Sequence, residues 1–446
     1  MKLEFVAHAS VVLRHGSIAL MSDPWLEGTS FDDGWALLSR PVFTADDFAA
    51  ITHIWISHEH PDHFSPRTLA MIPEEHRQRI TLLFHRSEDR KVVQYCEKAG
   101  FARIIELDPG KWLELGDDMS IRCDRWQGSD DSWLLTRTPD ATVLNLNDCQ
   151  ANTEEEMRFL HGETGDVDVL LTQYSISSWD GNAEEEERRQ AGAQAMIDRA
   201  CAQARMLNAE WVVPFASFIW FCHEENSFMN SALRPVGDVA HAISERTEAK
   251  PVVLYPGDRW TIGEPHDSSS AIARYEADVA SIANRELIRS EPVDCEQLME
   301  IAARFTERVK LGRSPLRMRI GGLRRGLLHR HRAKGDSLAK TALGGLLDIL
   351  RLRGRPAMLW ISDLGRAMKF DLIDGLRPSS AARDSCDIQI GSAALAFGMR
   401  FLWGGETLFI NGRFKELYPG GRETLFQHLG LASSLNHEEG ASPRPI

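Results

Sequence analysis

The sequence predicts an α/β protein with a smaller α+β extension. Three observations carry that reading. Short runs of β-branched and aromatic residues alternate with helix-patterned segments over roughly the first 260 residues, several of these runs end in polar loops bearing His or Asp, and the composition changes after about Pro256. A chain of 446 residues with 43% hydrophobic and 26% charged residues is an ordinary globular sequence with room for two cores, or one large and one small.

The opening segment, 2 to 22, alternates as hairpin strands, with Leu3, Phe5 and Ala7, then Ser10 to Leu13, a turn at His15-Gly16, and Ile18 to Met21. It leads to Asp23-Pro24-Trp25, where Asp23 reads either as a turn former before proline or as a carboxylate that orients a metal-bound histidine. Residues 26 to 50 are acidic and aromatic and read as a loop near the mouth of a site. Ile51 to Ile56 is a buried strand, and Pro66 opens a helix expected to run to about Ile80.

A strand at 80 to 84 follows, then a helix over 87 to 99 with Val92, Val93, Cys96 and Ala99 on one face and Gly100 as its stop. Strands are expected at 103 to 106, 111 to 115, 119 to 124, 133 to 136 and 141 to 145, a helix at 153 to 163 and a strand at 167 to 171. The polar loop 172 to 182 reads as a substrate wall. A long helix opens at the charged run Glu184 to Arg189 and ends near Asn208, and a buried strand at 211 to 216 precedes an aromatic stretch that ends in His223.

The chemistry is concentrated after the strand at 51 to 56. His58, His60, Asp62 and His63 place three imidazoles and a carboxylate within six residues, a mixture of neutral nitrogen and hard oxygen donors that suits zinc, iron or manganese. Period-two alternation directs His58 and His60 to one point, while Asp62 and His63, past a turn, face a second. Asp148, at a strand end, and His223, flanked by aromatics that exclude water, are further candidates. His223 is expected to join Asp62 and His63.

His58-Glu59-His60-Pro61-Asp62-His63 resembles the signature of the metallo-β-lactamase superfamily. The resemblance implies a four-layered αββα sandwich with a binuclear metal site at one edge of its two sheets. His8-Ala9-Ser10 and Asp23-Pro24-Trp25 stand where the branch of ascorbate-phosphate lactonases and phospholipase-D-like members reads GHAS and DPW. By the same resemblance Asp148 bridges the two metals, and Asp62 and Asp148 take part in catalysis. Hydrolytic members place a third histidine within the stretch 124 to 132, and this sequence has none: Gln127 stands at that position, and the anionic Asp131 is the better intrinsic ligand.

The segments Leu144 to Cys149, Pro214-Phe215-Ala216 with His223, and Asn230 resemble the CMP-N-acetylneuraminate hydroxylase family, which joins a Rieske iron–sulfur domain to a lactamase-fold domain. The Cys-x-His and Cys-x-x-His pairs of a Rieske centre are absent here. In that respect the chain is similar to lactamase-fold di-iron monooxygenases without a Rieske domain. The resemblance implies a metal-dependent oxidoreductase with two metal ions, iron favoured over zinc or manganese, and dioxygen as co-substrate. It would hydroxylate a small organic or carrier-linked substrate, with any electrons needed coming from an electron-donor partner protein or from the metals themselves. The alternative is a metallo-hydrolase of a phosphodiester, ester or lactone.

The expected organisation is a catalytic domain over 1–265, a helical basic connector over 266–335, a small α+β domain over 336–432 that resembles sterol-carrier domains, and a tail over 433–446. Within the connector, 270 to 310 reads as helical, and 304 to 334, including Arg313 to Arg332, carries a basic run suited to an anionic carrier or phosphorylated substrate. The small domain is expected to hold a helix from Ala339 to Leu352 and strands at 357 to 361, 367 to 373, 387 to 390 and 407 to 410. A net charge of -14 gives no global attraction for nucleic acid. Seven dispersed cysteines point to reduced thiols in the cytoplasm, Met1 to Phe5 reads as strand rather than signal peptide, and no stretch approaches the ~18 apolar residues of a membrane span.

Overall fold

Two seven-stranded sheets face one another and place the histidine loop at their shared edge. The structure is a computed structural model that describes residues 1–127, 129–312 and 356–438. Across the first sheet the strands run Arg259–Thr261, Lys2–Ala7, Ser10–His15, Ile18–Ser22, His53–Ile56, Thr81–His85 and Arg103–Leu107. Across the second they run Lys250–Pro251, Trp211–Phe215, Val169–Gln173, Thr142–Asn147, Ser132–Arg137, Met119–Arg125 and Trp112–Gly116. Both are mixed: His53–Ile56 pairs in parallel with Ile18–Ser22 and Thr81–His85, and Val169–Gln173 pairs in parallel with both its neighbours.

Strand periodicity divides the core in two. Ile54 and Ile56 project from the first sheet toward Leu69, Val92, Val93 and Cys96, while Trp55 between them turns the other way. With Leu20, Leu83 and Leu107 it meets Ile121, Cys123 and Leu134 of the second sheet. Each such side chain contributes about 1.5–3 kcal/mol on full burial. The second sheet carries Glu154–Thr164, Glu186–Met206 and Val236–Arg246, with Ala193, Ile197, Ala200 and Ala204 buried on the long helix. Helix, sheet, sheet, helix is therefore the order of layers.

A proline accounts for one departure from the expected elements. The helix expected from Pro66 to about Ile80 is two short helices, Pro66–Met71 and Glu74–Arg77, broken at Ile72-Pro73 because Pro73 lacks an amide proton and pushes its predecessor into extended conformation. The helical stretch expected over 270 to 310 is also interrupted, between Ser269–Ser281, with its 3-10 turn Ile282–Asn284, and Cys295–Gly312. The loop expected over 26 to 50 contains the strands Thr29–Ser30 and Trp35–Leu37, which form a small sheet with Ile219–Phe221.

The chain divides into two compact units, Met1–Cys222 with Ser227–Leu287, and His223–Asn226 with the described part of Ile288–Ile446. The first unit extends past the expected boundary at 265 because Ser269–Ser281 packs into it: Tyr275 stacks on Phe218 at 4.3 Å and donates its hydroxyl to the Leu254 carbonyl at 3.0 Å. The second unit holds a five-stranded sheet ordered Gly375–Ser379, Arg366–Asp371, Ala357–Ile361, Ile388–Ile390 and Phe414–Glu416, with four helices beside it among the described residues. Residues 407 to 410, expected as a strand, lie in the helix Gly404–Asn411. Gly405 leaves room for Leu429, and Gly412 at φ 65° supplies the left-handed stop. Helix Arg422–Glu438 runs into the expected tail. The expected basic run starts within the helix Cys295–Gly312, and its part from residue 313 on, like the helix expected from Ala339 to Leu352, lies outside the described residues.

Candidate metal centre

Strand ends from both sheets converge on the histidine loop. Four non-glycine residues at or just beyond the carboxyl ends of strands adopt positive φ: His8 at 22°, Asp23 at 37°, Asn147 at 52° and Ala216 at 44°. A left-handed residue with a Cβ costs of order 1 kcal/mol, so four at one edge mark a place where side-chain direction outweighs backbone comfort.

Two groups of donors result. His8, Asp62 and His63, all buried, bring one ligating atom each within 4.8 Å of one another, and so do His58, His60 and Asp148. In the first, Asp62 Oδ2 lies 3.2 Å from His8 Nε2 and 3.1 Å from His63 Nε2. In the second, His58 Nε2 faces His60 Nδ1 at 2.9 Å. Asp148 lies between them, its Oδ2 being 3.4 Å from His63 Nε2 and 4.0 Å from His58 Nε2. Asp131 Oδ1 is 3.5 Å from His58 Nε2, whereas Gln127 is exposed.

Hydrogen bonds fix each ring. Asp23, wholly buried, accepts from the Ser57 amide at 2.7 Å, Asn147 Nδ2 at 2.7 Å and His63 Nδ1 at 3.1 Å. The proton on His63 Nδ1 leaves Nε2 to face Asp62 and Asp148. His58 Nδ1 meets Ser57 Oγ at 2.9 Å, so its Nε2 points inward, and Asn147 Nδ2 also donates to Ser57 Oγ. Ser132 of the second sheet donates to the Ser57 carbonyl at 2.5 Å.

The electrostatics favour a cation. Burial, then His63 and His60, hold the His58 imidazole well below its ordinary value, which keeps it neutral as a ligand must be. Burial opposes charge on His63 as well, yet Asp62 and Asp148 outweigh it and raise that imidazole well above the usual range. Asp131 is pushed up to about 6, first by burial and next by Asp148. Asp62 Oδ1 and His63 Nε2 are buried without a hydrogen-bond partner, at a cost of about 1–3 kcal/mol each unless something else takes their lone pairs. Imidazoles and carboxylates crowded in this way fit a pair of metal ions.

No protein-family model matches the chain. It is similar to the cytidine monophosphate-N-acetylneuraminic acid hydroxylase of Danio rerio, 26% identical over 247 residues that cover 51% of this chain and 40% of that protein. The chain thus spans well under half the length of that relative. Among solved structures, it is similar to CmlA, a diiron beta-hydroxylase from Streptomyces venezuelae, at 19% identity over 58% of this chain and 53% of that one, with a TM-score of 0.37. It is also similar to the metallo-beta-lactamase fold protein YhfI of Bacillus subtilis, at 11% identity over 58% and 98% of the two chains and a TM-score of 0.37. Two facing mixed sheets, helices outside them and a His-x-His-x-Asp-His loop at their edge decide the architecture. The chain has the metallo-β-lactamase fold.

On this metallo-β-lactamase scaffold the residues expected from the sequence do not all meet. His58, His60, Asp62, His63, Asp131 and Asp148 come together, but His223 belongs to the second unit and is in neither donor group. There its Nε2 meets Ser290 Oγ at 3.0 Å and its Nδ1 accepts from the Glu225 amide at 3.2 Å. His8 stands beside Asp62 and His63. The signal for it was the position of His8-Ala9-Ser10 at the end of the first strand. Ser57, Asn147 and Gln173 carried no signal of their own. Among the described residues, no helix is long and apolar enough to cross a membrane.

Proposed function

We propose that the chain is a non-haem di-iron monooxygenase that hydroxylates a small organic or carrier-linked substrate with dioxygen. The observation that carries this reading is the donor set. His58, His60 and Asp131 would hold one iron, His8, Asp62 and His63 the other, and Asp148 both, so that each has two imidazoles with carboxylate oxygens. Two histidines with a carboxylate suit non-haem iron, whereas zinc hydrolases of this fold are expected to present a third histidine where this chain offers Asp131. Bound there, iron supplies the activation of dioxygen.

The chain's own residues do the rest. Asp23 accepts the Nδ1 proton of His63, and Ser57 Oγ meets His58 Nδ1, so both rings are held with Nε2 turned toward the other donors. Asp62, Asp131 and Asp148 balance positive charge. Phe31 sets its ring against His60 at 5.6 Å and against Trp35 at 4.5 Å, an apolar edge that limits water at the second group. The hydroxylase relatives support an oxidative reaction. Elemental analysis of freshly purified protein, with optical spectra before and after anaerobic reduction and exposure to air, tests the reading. About two irons per chain and an oxygen-sensitive visible band are expected. Two zinc ions with no response to oxygen would overturn it in favour of a hydrolase of phosphodiesters, esters or lactones.

A further inference from the structure

Behind Asp148 stands a short buried relay. Gln173 ends the strand Val169–Gln173, and Arg199 projects from the helix Glu186–Met206; both are buried. Arg199 Nη2 donates to Gln173 Oε1 at 3.1 Å and Nη1 to Asn152 Oδ1 at 3.3 Å, while Gln173 Nε2 donates to Asp148 Oδ1 at 3.2 Å.

The direction of the relay follows from the donor inventory. A guanidinium carries donors and no acceptor, so the end of the Gln173 amide that meets Arg199 is its oxygen. The amino end then has to face Asp148. A lone glutamine has two nearly isosteric orientations, and the guanidinium selects one of them. Arg199 is costly where it stands: burial pushes it down to about 10, and its Nε has no hydrogen-bond partner among the described residues. It touches neutral amides rather than a carboxylate, so its charge is left to act on Asp148 through the glutamine.

We infer that Gln173, oriented by Arg199, is the positioning residue that makes Asp148 serve both donor groups through one oxygen, Oδ2. Oδ1 is occupied by the Gln173 amide, and Oδ2 lies within 4.0 Å of both His58 and His63. Without the amide the carboxylate is free to turn and offer one oxygen to each group, or both to one. The inference rests on the two-metal reading above.

Anaerobic titration of the full chain with Co(II), followed by calorimetry and by electron paramagnetic resonance of the filled pair, separates the two. The wild type is expected to take two ions with measurable magnetic coupling. In Gln173→Leu and Arg199→Met the weaker ion should bind about 10–100-fold less tightly and the coupling should change, while Arg199→Lys restores most of the affinity. Should Arg199→Met fail to fold, Gln173→Asn keeps a neutral amide but withdraws it by one methylene, and the same losses are expected. Variants that bind both ions with wild-type affinity and coupling would overturn the inference and leave the two-metal reading standing. A wild type that takes up no second ion would overturn that reading and the inference together.

Discussion

Asp23 Oδ2 accepts the Nδ1 proton of His63 at 3.1 Å, with both residues fully buried. The same oxygen accepts from Asn147 of the opposite sheet at 2.7 Å. Asp23→Ala would strand three buried donors, the Ser57 amide, Asn147 Nδ2 and His63 Nδ1, and is expected to destabilise the protein by about 3 kcal/mol or more. Metal affinity should fall about 10–100-fold as the ring loses its orientation. Urea unfolding and metal content per chain measure the two effects, and Asp23→Asn should be milder in both.

Asp148 and His60 are predicted to be indispensable in different ways. Asp148 stands between the groups, so Asp148→Ala should abolish activity and release both ions, whereas His60→Ala should abolish activity with the greater loss from the His58 group. Atomic absorption on the purified variants is the check, and wild-type occupancy in either would refute the assignment.

His8 and His223 offer a direct contrast. His8→Ala should reduce the metal content, because its ring is one of the three donors in the group with Asp62 and His63. His223→Ala should keep two ions per chain. A variant His223→Ala that loses one ion while His8→Ala keeps both would restore the ligand set expected from the sequence alone.

Acid sensitivity should pass in part through His85. Burial, then Arg125, push its imidazole from 6.5 down to about 4. The folded protein therefore binds this proton less readily than the unfolded chain, so the contribution is complete above pH 6.5 and lost as pH falls from 6.5 through 4. The gap corresponds to about 3 kcal/mol at most. His85→Gln should flatten the dependence of unfolding free energy on pH across that window, which denaturant melts at pH 7, 6, 5 and 4 would show.

The layers were legible because strand runs such as Thr81 to Phe84 and Trp211 to Phe215 are apolar on both faces, as strands covered by a helix and a second sheet must be. The short apolar run at 407 to 410 misled, since four such residues fit a buried helix as well as a strand. The glycines at 404, 405 and 412 carried the helical information. In the site, local spacing separates His58 and His60 from Asp62 and His63. His8 was not assigned as a ligand because its partner Asp62 lies 54 positions along the chain, and the position of His8-Ala9-Ser10 after the first strand was its one signal.

The two sheets are nearly consecutive in the chain: apart from Arg259–Thr261, the first uses strands from Lys2 to Leu107 and the second strands from Trp112 to Pro251. His8, His58, His60, Asp62 and His63 thus leave the ribosome ahead of Asp131 and Asp148. At about 5–20 residues per second, the nascent chain displays its imidazoles for several seconds before the later carboxylates are made. The donor groups are complete only once the sheets have docked, which makes metal capture a late event in biogenesis and gives a half-made chain little means of holding an ion.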